Sequence, residues 1–160
     1  MEIGVLSDTH ISSLEGLPRE VLDALTRVDL IVHAGDYTGK MLLDELRNLG
    51  EFRGVYGNMD SSAIKSELQA VEVFEVGDFK IGVTHPAEGG PPFRLERRTR
   101  KKFGQIDLII YGHSHWVKNE TLDGVIYFNP GSATGRFPAR YTSYGIVKIE
   151  KEIEAKIIKL

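Results

Sequence analysis

The chain has no cysteine. Disulfides, thiolate metal sites and cysteine nucleophiles are therefore excluded, and a reducing, cytoplasmic compartment is expected. No stretch approaches the roughly 18 uninterrupted apolar residues of a membrane-spanning helix. The first residues run straight into a strand pattern, without the layout of a signal peptide. Glutamine occurs only at Gln69 and Gln105, which with the high Glu, Lys and Arg content resembles a thermophile composition. Neither sign of charge dominates. The formal net charge is -3, so electrostatics alone gives no reason for a nucleic-acid or membrane partner. One local exception is the basic cluster of Arg94, Arg97, Arg98, Arg100, Lys101 and Lys102. Internal repeats, low-complexity tracts and dividing linkers are also missing, so residues 1–160 read as one domain.

What is present begins as alternating strand and helix. Residues 2–6 form a short apolar strand that ends in Ser7-Asp8-Thr9-His10. Residues two apart on an extended chain point the same way, so Asp8 and His10 are expected to reach one point beyond that strand. Residues 17–28 read as a helix, with Pro18 near its start and Val21, Leu22, Leu25 and Val28 at helical spacing. A second strand over 30–34 ends in Gly35-Asp36. Thr38 is the expected cap of a helix carrying Met41, Leu42, Leu46 and Leu49, which Gly50 closes. A third strand over 52–56 ends in Gly57-Asn58-Met59-Asp60, and a shorter helix follows over 61–68.

The pattern then changes. Residues 71–76 and 79–84 alternate about a Gly77-Asp78 turn and lead to His85-Pro86. Residues 87–92 are rich in Gly and Pro and read as a loop, and 93–103 as a basic helix. The apolar run 106–111 is a buried strand that delivers Gly112-His113-Ser114-His115. Hairpins over 117–128 and 144–158 flank an Asn129-Pro130-Gly131-Ser132 turn and an irregular loop to Arg140. The whole predicts an α/β fold: a sandwich of two mixed β-sheets flanked by helices. In such folds ligands gather at the carboxyl ends of parallel strands, which is where the polar clusters fall.

Asp8, His10, Asp36, Asn58, His85, His113 and His115 are the candidate metal ligands. They mix oxygen and imidazole donors without sulfur, which suits Mn, Fe, Co, Ni or Zn better than Ca or Mg. Seven donors exceed one tetrahedral zinc site and suit two ions if one carboxylate bridges them. Asp36, on a central strand after a glycine, is the natural bridge. Two ions ~3.5–4 Å apart can hold a phosphate ester and generate hydroxide for in-line attack.

Here the sequence resembles the calcineurin-like metallophosphoesterases. Within them it looks most like the small single-domain phosphodiesterases of the MJ0936 type, relatives of the retromer subunit Vps29. Five motifs carry the resemblance in order: Asp8-Thr9-His10, Gly35-Asp36, Gly57-Asn58-Met59-Asp60, Thr84-His85 and Gly112-His113-Ser114-His115. The resemblance implies two divalent transition-metal ions, with Mn²⁺ or Ni²⁺ favoured. Asp8, His10 and His115 would take the first ion, Asn58, His85 and His113 the second, and Asp36 would bridge. Asp36, Asn58 and His85 are the residues it marks as catalytic. A metal-bound hydroxide would attack phosphorus in a small phosphate ester, with a phosphodiester favoured. Two departures stand out. Many larger members place a histidine after the motif asparagine to protonate the leaving group, whereas this chain has Met59. Such proton donation is worth roughly 10²–10⁴-fold, so alkoxide leaving groups should react slowly. Pro86 replaces an expected glycine and stiffens the loop after His85.

Plainer readings stand beside these. Asp8-Thr9-His10 alone could cap a helix, Asp36 and Asn58 could be turn residues, and His85 could be a loop histidine. Four of the five histidines nevertheless fall on the motif positions. His33, the fifth, reads as a hydrogen-bonded core residue that supports the ligands. Asp60 either supports the Asn58 loop or is an exposed turn carboxylate. Arg136 either touches a substrate phosphate or is solvated. Trp116 either lines the pocket or packs in the core. The basic run 94–102 reads as a solvated helix face with Phe93, Leu95 and Phe103 as anchors, so a nucleic-acid partner is not expected. A Vps29-like interaction scaffold is the competing function, a nuclease the third, and pairing of apolar strands between subunits is left open.

Overall fold

The computed structural model describes residues 1–86 and 94–160. The expected loop over 87–92, and Phe93 at the start of the expected basic helix, lie outside the described residues.

Three parallel strands, β1 (Glu2–Leu6), β2 (Leu30–His33) and β3 (Phe52–Gly54), are joined by α1 (Arg19–Leu25) and α2 (Lys40–Leu49). All four residues of β2 are buried, as expected of a parallel strand covered on both faces. Two later strands extend this sheet, β9 (Ser143–Ile149) antiparallel beside β1 and β10 (Ile153–Lys159) antiparallel beside β9, giving the order β10-β9-β1-β2-β3.

Between these segments the chain builds a second sheet. Helix α3 (Ser62–Glu67) leads to the hairpin β4 (Val71–Val76) and β5 (Phe79–Thr84). Helix α4 (Leu95–Arg100) precedes β6 (Leu108–Tyr111), and β7 (Lys118–Leu122) pairs with β8 (Val125–Asn129). The order is β4-β5-β6-β8-β7, with β5, β6 and β8 parallel. Both sheets are mixed, as the sequence predicts.

The inner faces meet through Ile3, Val5 and Val32 on one side and Ile81, Val83, Ile110 and Phe128 on the other. Helices α1 to α3 cover the first sheet through Val21, Leu25, Leu42, Leu43, Leu46 and Ile64. Helix α4 covers the second through Leu95, against Ile109, Tyr111 and Tyr127. Each such side chain contributes ~1.5–3 kcal/mol on burial, so these four layers form a rigid platform under the strand ends.

Two local expectations are corrected. Gly39, not Thr38, is the N-cap of α2. Thr38 has φ +82°; its N–H goes to Asp60 and its hydroxyl to the Ile11 carbonyl, so it ties loops together. Helix α1 ends at Leu25, short of Val28. The chain must turn there, because the Asp29 N–H bonds the Glu2 carbonyl at 2.9 Å to set β2 beside β1.

Candidate metal centre

The loops after β1, β2, β5 and β6, and the turn after β3, converge at one end of the sandwich. They are not extended. Asp8, His10, Asp36, His113 and His115 all have positive φ, between +49° and +83°. That corrects the expectation for Asp8 and His10. They converge because each is left-handed, on either side of Thr9, and not through the alternation of an extended strand. Non-glycine residues in this region cost about 1–3 kcal/mol each and persist where surrounding structure over-determines them. Five of the seven candidate ligands are held this way.

All seven side chains lie together. His10 Nε2 is 3.2 Å from His115 Nε2, which is 3.4 Å from Asp8 Oδ1. Asn58 Oδ1 is 3.2 Å from His85 Nε2 and 3.1 Å from His113 Nδ1. Asp36 Oδ2 stands between the sets, 3.7 Å from His10 Nε2 and 3.5 Å from His85 Nε2. Asp8, His10 and His115 offer atoms within 4.8 Å of one another, and so do Asp8, Asp36 and His85. Asp8 thus belongs to both groupings, while Asp36 reaches histidines of both.

Proton bookkeeping shows what this arrangement fits. The second ring nitrogen of His85 lies 2.7 Å from the Ala34 carbonyl, which can only accept. Nδ1 therefore carries a proton, and Nε2 faces Asp36 and Asn58 oxygens, which also accept. His115 repeats the device, with Nδ1 donating to the Arg136 carbonyl at 2.9 Å. Its Nε2 then faces Asp8. A neutral ring in this tautomer presents Nε2 toward acceptor oxygens, an arrangement that a cation between them satisfies. Burial lowers the His10 and His113 pKa below the ordinary value, against the pull of Asp36 and Asp8. That favours the neutral rings a metal requires.

The supports explain the precision. Asp60 is buried, and its carboxylate accepts four backbone N–H bonds. Oδ1 takes Tyr37 at 2.7 Å and Thr38 at 3.0 Å; Oδ2 takes Gly57 at 2.7 Å and Asp36 at 3.0 Å. It ties the Asp36 loop to the Asn58 turn and is not an exposed turn carboxylate. Burial pushes its pKa up, against the pull of the Gly57, Thr38 and Asp36 N–H groups. Gly57 packs so tightly on Asp36 that an added Cβ would collide with the carboxylate.

His33 is wholly buried and accepts the Gly35 N–H on Nδ1 at 3.2 Å. Its Nε2–H donates to Thr9 Oγ1 at 3.1 Å, and Thr9 donates to the Asp36 carbonyl at 3.4 Å. Burial, with His85 and His10 adding to it, holds its pKa well below the ordinary value.

The turn after β8 was only a motif in the sequence, and here it and the residues that follow anchor two loops, those after β6 and β1. Asn129 Nδ2 donates to the Gly112 carbonyl at 3.3 Å and Ser114 Oγ at 3.2 Å. Ser132 Oγ donates to the Asp8 carbonyl, and Thr134 Oγ1 to the Thr9 carbonyl, each at 2.7 Å. The sequence marked Ser132 only as the end of a turn and did not mark Thr134, because their partners lie more than a hundred residues away.

Other expectations resolve simply. Trp116 is not in the core: it is exposed, and its indole N–H donates to the Pro138 carbonyl at 3.3 Å. Leu95 and Phe103 are buried anchors of the basic segment. Arg98 donates to the Pro86 carbonyl at 3.2 Å, and Arg100 to the Phe103 carbonyl at 2.7 Å. These guanidinium groups fasten backbone. Among the described residues, no helix is long and apolar enough to cross a membrane.

Comparison with known proteins follows the same lines. The family model of the calcineurin-like phosphoesterase superfamily domain matches residues 1–152. A probable metallophosphoesterase of Methanocaldococcus jannaschii, MJ0623, is 38% identical over 163 residues, covering 100% of this chain and 82% of the relative. The phosphodiesterase MJ0936 of the same organism is 30% identical over 174 residues, covering 99% of both. The crystal structure of Vps29 from Entamoeba histolytica, complexed with zinc, superposes with a TM-score of 0.75 at 25% identity, covering 99% of both chains. With the whole constellation on one fold and the family model spanning nearly all of it, the chain belongs to the calcineurin-like phosphoesterase superfamily.

Proposed function

We propose that this chain is a phosphodiesterase that works with two divalent cations on a small phosphate ester. The observation that carries the reading is the convergence of seven oxygen and imidazole donors at one point, with the Nδ1 atoms of His85 and His115 tied to backbone carbonyls so that their Nε2 atoms face the other ligands. Asp8, His10 and His115 would hold one ion, and Asn58, His85 and His113 the other, with Asp36 between them. When bound, the ions neutralise charge on the phosphoryl oxygens and acidify the attacking water. The chain's own residues do the positioning. The Ala34 and Arg136 carbonyls fix the tautomers of His85 and His115, and Asp60 fixes the backbone of Asp36 and Gly57. The oxygen and imidazole donor set favours a transition metal, with Mn²⁺ or Ni²⁺ first and Fe, Co or Zn next. A single domain over residues 1–160, acting in the cytoplasm, belongs to this reading. A polynucleotide substrate does not: the chain is mildly acidic, and two cations of its basic segment, Arg98 and Arg100, bond to backbone carbonyls.

The second reading is an interaction scaffold of the Vps29 kind, which Met59 at the proton-donor position favours. A zinc-complexed Vps29 on this fold means that metal binding alone does not separate the two readings. Turnover does. Chelator-stripped protein, reloaded with Mn²⁺ or Ni²⁺, is assayed on bis(p-nitrophenyl) phosphate beside Asp36→Asn. Metal-dependent hydrolysis lost in Asp36→Asn is expected. A folded, metal-loaded protein without turnover would sink the hydrolase in favour of the scaffold.

A further inference from the structure

The cleft above the ligand set has a volume of about 290 Å³. Besides the candidate ligands it is lined by Met59, Arg136, Phe137 and Pro138. None of these four can donate a proton near neutral pH: a thioether, a phenyl ring and a pyrrolidine have none, and a guanidinium holds its own. Among the described residues, the cleft wall therefore offers no general acid outside the ligand set.

The rim carries a second, independent signal. Phe137 is 89% exposed and Met59 is 59% exposed, on loops that follow β8 and β3 and face the same cleft. Phe137 is the most exposed large apolar side chain among the described residues. A phenyl ring and a polarizable thioether over a cleft suit a planar aromatic group. Arg136 stands beside them on the cleft wall, next to His10 and His115. A guanidinium next to a ring pairs phosphate recognition with stacking.

We infer that the substrate is a nucleotide phosphoanhydride, cleaved in preference to an alkyl phosphodiester, with its base against Phe137 and Met59. The inference rests on the phosphodiesterase reading and adds the leaving group to it. The water oxygen bonds to one phosphorus, and the bridging P–O bond breaks. Its electron pair stays on the departing nucleoside phosphate, and the proton from water passes to solvent. A phosphate monoester has a second pKa of ~6, so it departs at neutral pH without being protonated. An alkoxide does not, and it would need the acid that Met59 cannot supply.

The test compares three substrates on the Mn²⁺-loaded protein: diadenosine pyrophosphate, the dinucleoside phosphate ApA, and bis(p-nitrophenyl) phosphate. The anhydride is expected to exceed ApA in kcat/KM by about 100-fold or more, the typical worth of a missing general acid. Met59→His should raise ApA cleavage by about 10²-fold and the anhydride by far less. Phe137→Ala should weaken the methylene-bridged anhydride analogue by about 10-fold in calorimetry, the scale of one base–aromatic stack. Equal rates for the anhydride and ApA in the unaltered protein would overturn the inference. So would unchanged affinity of Phe137→Ala for the analogue. Absence of bis(p-nitrophenyl) phosphate turnover marks failure of the hydrolase reading instead, and the calorimetric comparison still decides the aromatic contact.

Discussion

Replacing Asp60 by Asn tests the idea that one buried carboxylate holds the centre together. The carboxylate takes Tyr37 and Thr38 on one oxygen and Gly57 and Asp36 on the other, all at 2.7–3.0 Å. An amide has the same shape, but its nitrogen must face one of these pairs. Whichever way it turns, two buried N–H groups lose their acceptor and meet a donor. Leaving a buried donor unpaired costs ~1–3 kcal/mol, so Asp60→Asn should destabilise by about 2–4 kcal/mol after partial relaxation. For a chain of this size that lowers Tm by roughly 5–15 °C. Denaturant unfolding in chelator isolates this effect from metal loss. A second readout follows from position: Asp60 holds the backbone N–H of Asp36 itself, so cation affinity should fall about 10–100-fold by calorimetry. A change within ~0.5 kcal/mol, the usual scale of an inert surface substitution, with unaltered metal affinity would refute the reasoning.

Three further outcomes are expected. Chelation should lower Tm, and restoring the ion at ~100 times its Kd should return about 2.7 kcal/mol of stability, read by calorimetric scanning; an indifferent Tm would count against a preformed site. Gly57→Ala pushes a Cβ into the Asp36 carboxylate and should weaken metal binding by more than about 10-fold in titration calorimetry, within the range for displaced ligand supports. Burial holds the His33 pKa well below its ordinary value, so the unfolded chain takes up a proton there that the folded one refuses. Stability of the metal-free protein should therefore be full above about pH 6.5 and fall below it, by up to ~1.4 kcal/mol per pH unit, until the folded pKa is passed. Burial of His10 and His113 acts with the same sign. Urea unfolding across this range measures the loss, and a gain in stability on acidification would contradict it.

Much of the fold was legible because its signals are local. The hairpin β4–β5 appears with the expected bounds, since alternation on both sides of Gly77-Asp78 needs no distant partner. Strand β6 was legible from an unbroken apolar run, although it begins at Leu108, two residues later than the run. The candidate ligands were legible because each sits in a short motif at a strand end, and the structure brings all of them together. The Thr38 cap failed because Asp60, distant in sequence, draws the Thr38 N–H to itself. The end of α1 was misjudged because pairing of Asp29 with Glu2 decides it, not helical periodicity.

By itself, the sequence determined the donor types, their order along the strands and the absence of an acid after Asn58. These are properties of residue identity and short-range spacing, which a linear chain carries intact. Only the tertiary structure decided how the donors are held. Positive φ at five of them depends on loops locked from elsewhere, as where Ser132 bonds the Asp8 carbonyl across 124 residues. It also decided which ring nitrogens carry protons, because the Ala34 and Arg136 carbonyls that settle this come from other segments. It decided, too, that Asp60 is buried while Phe137 faces water. Burial and hydrogen-bond partners belong to the packed chain as a whole, and no window of sequence contains them.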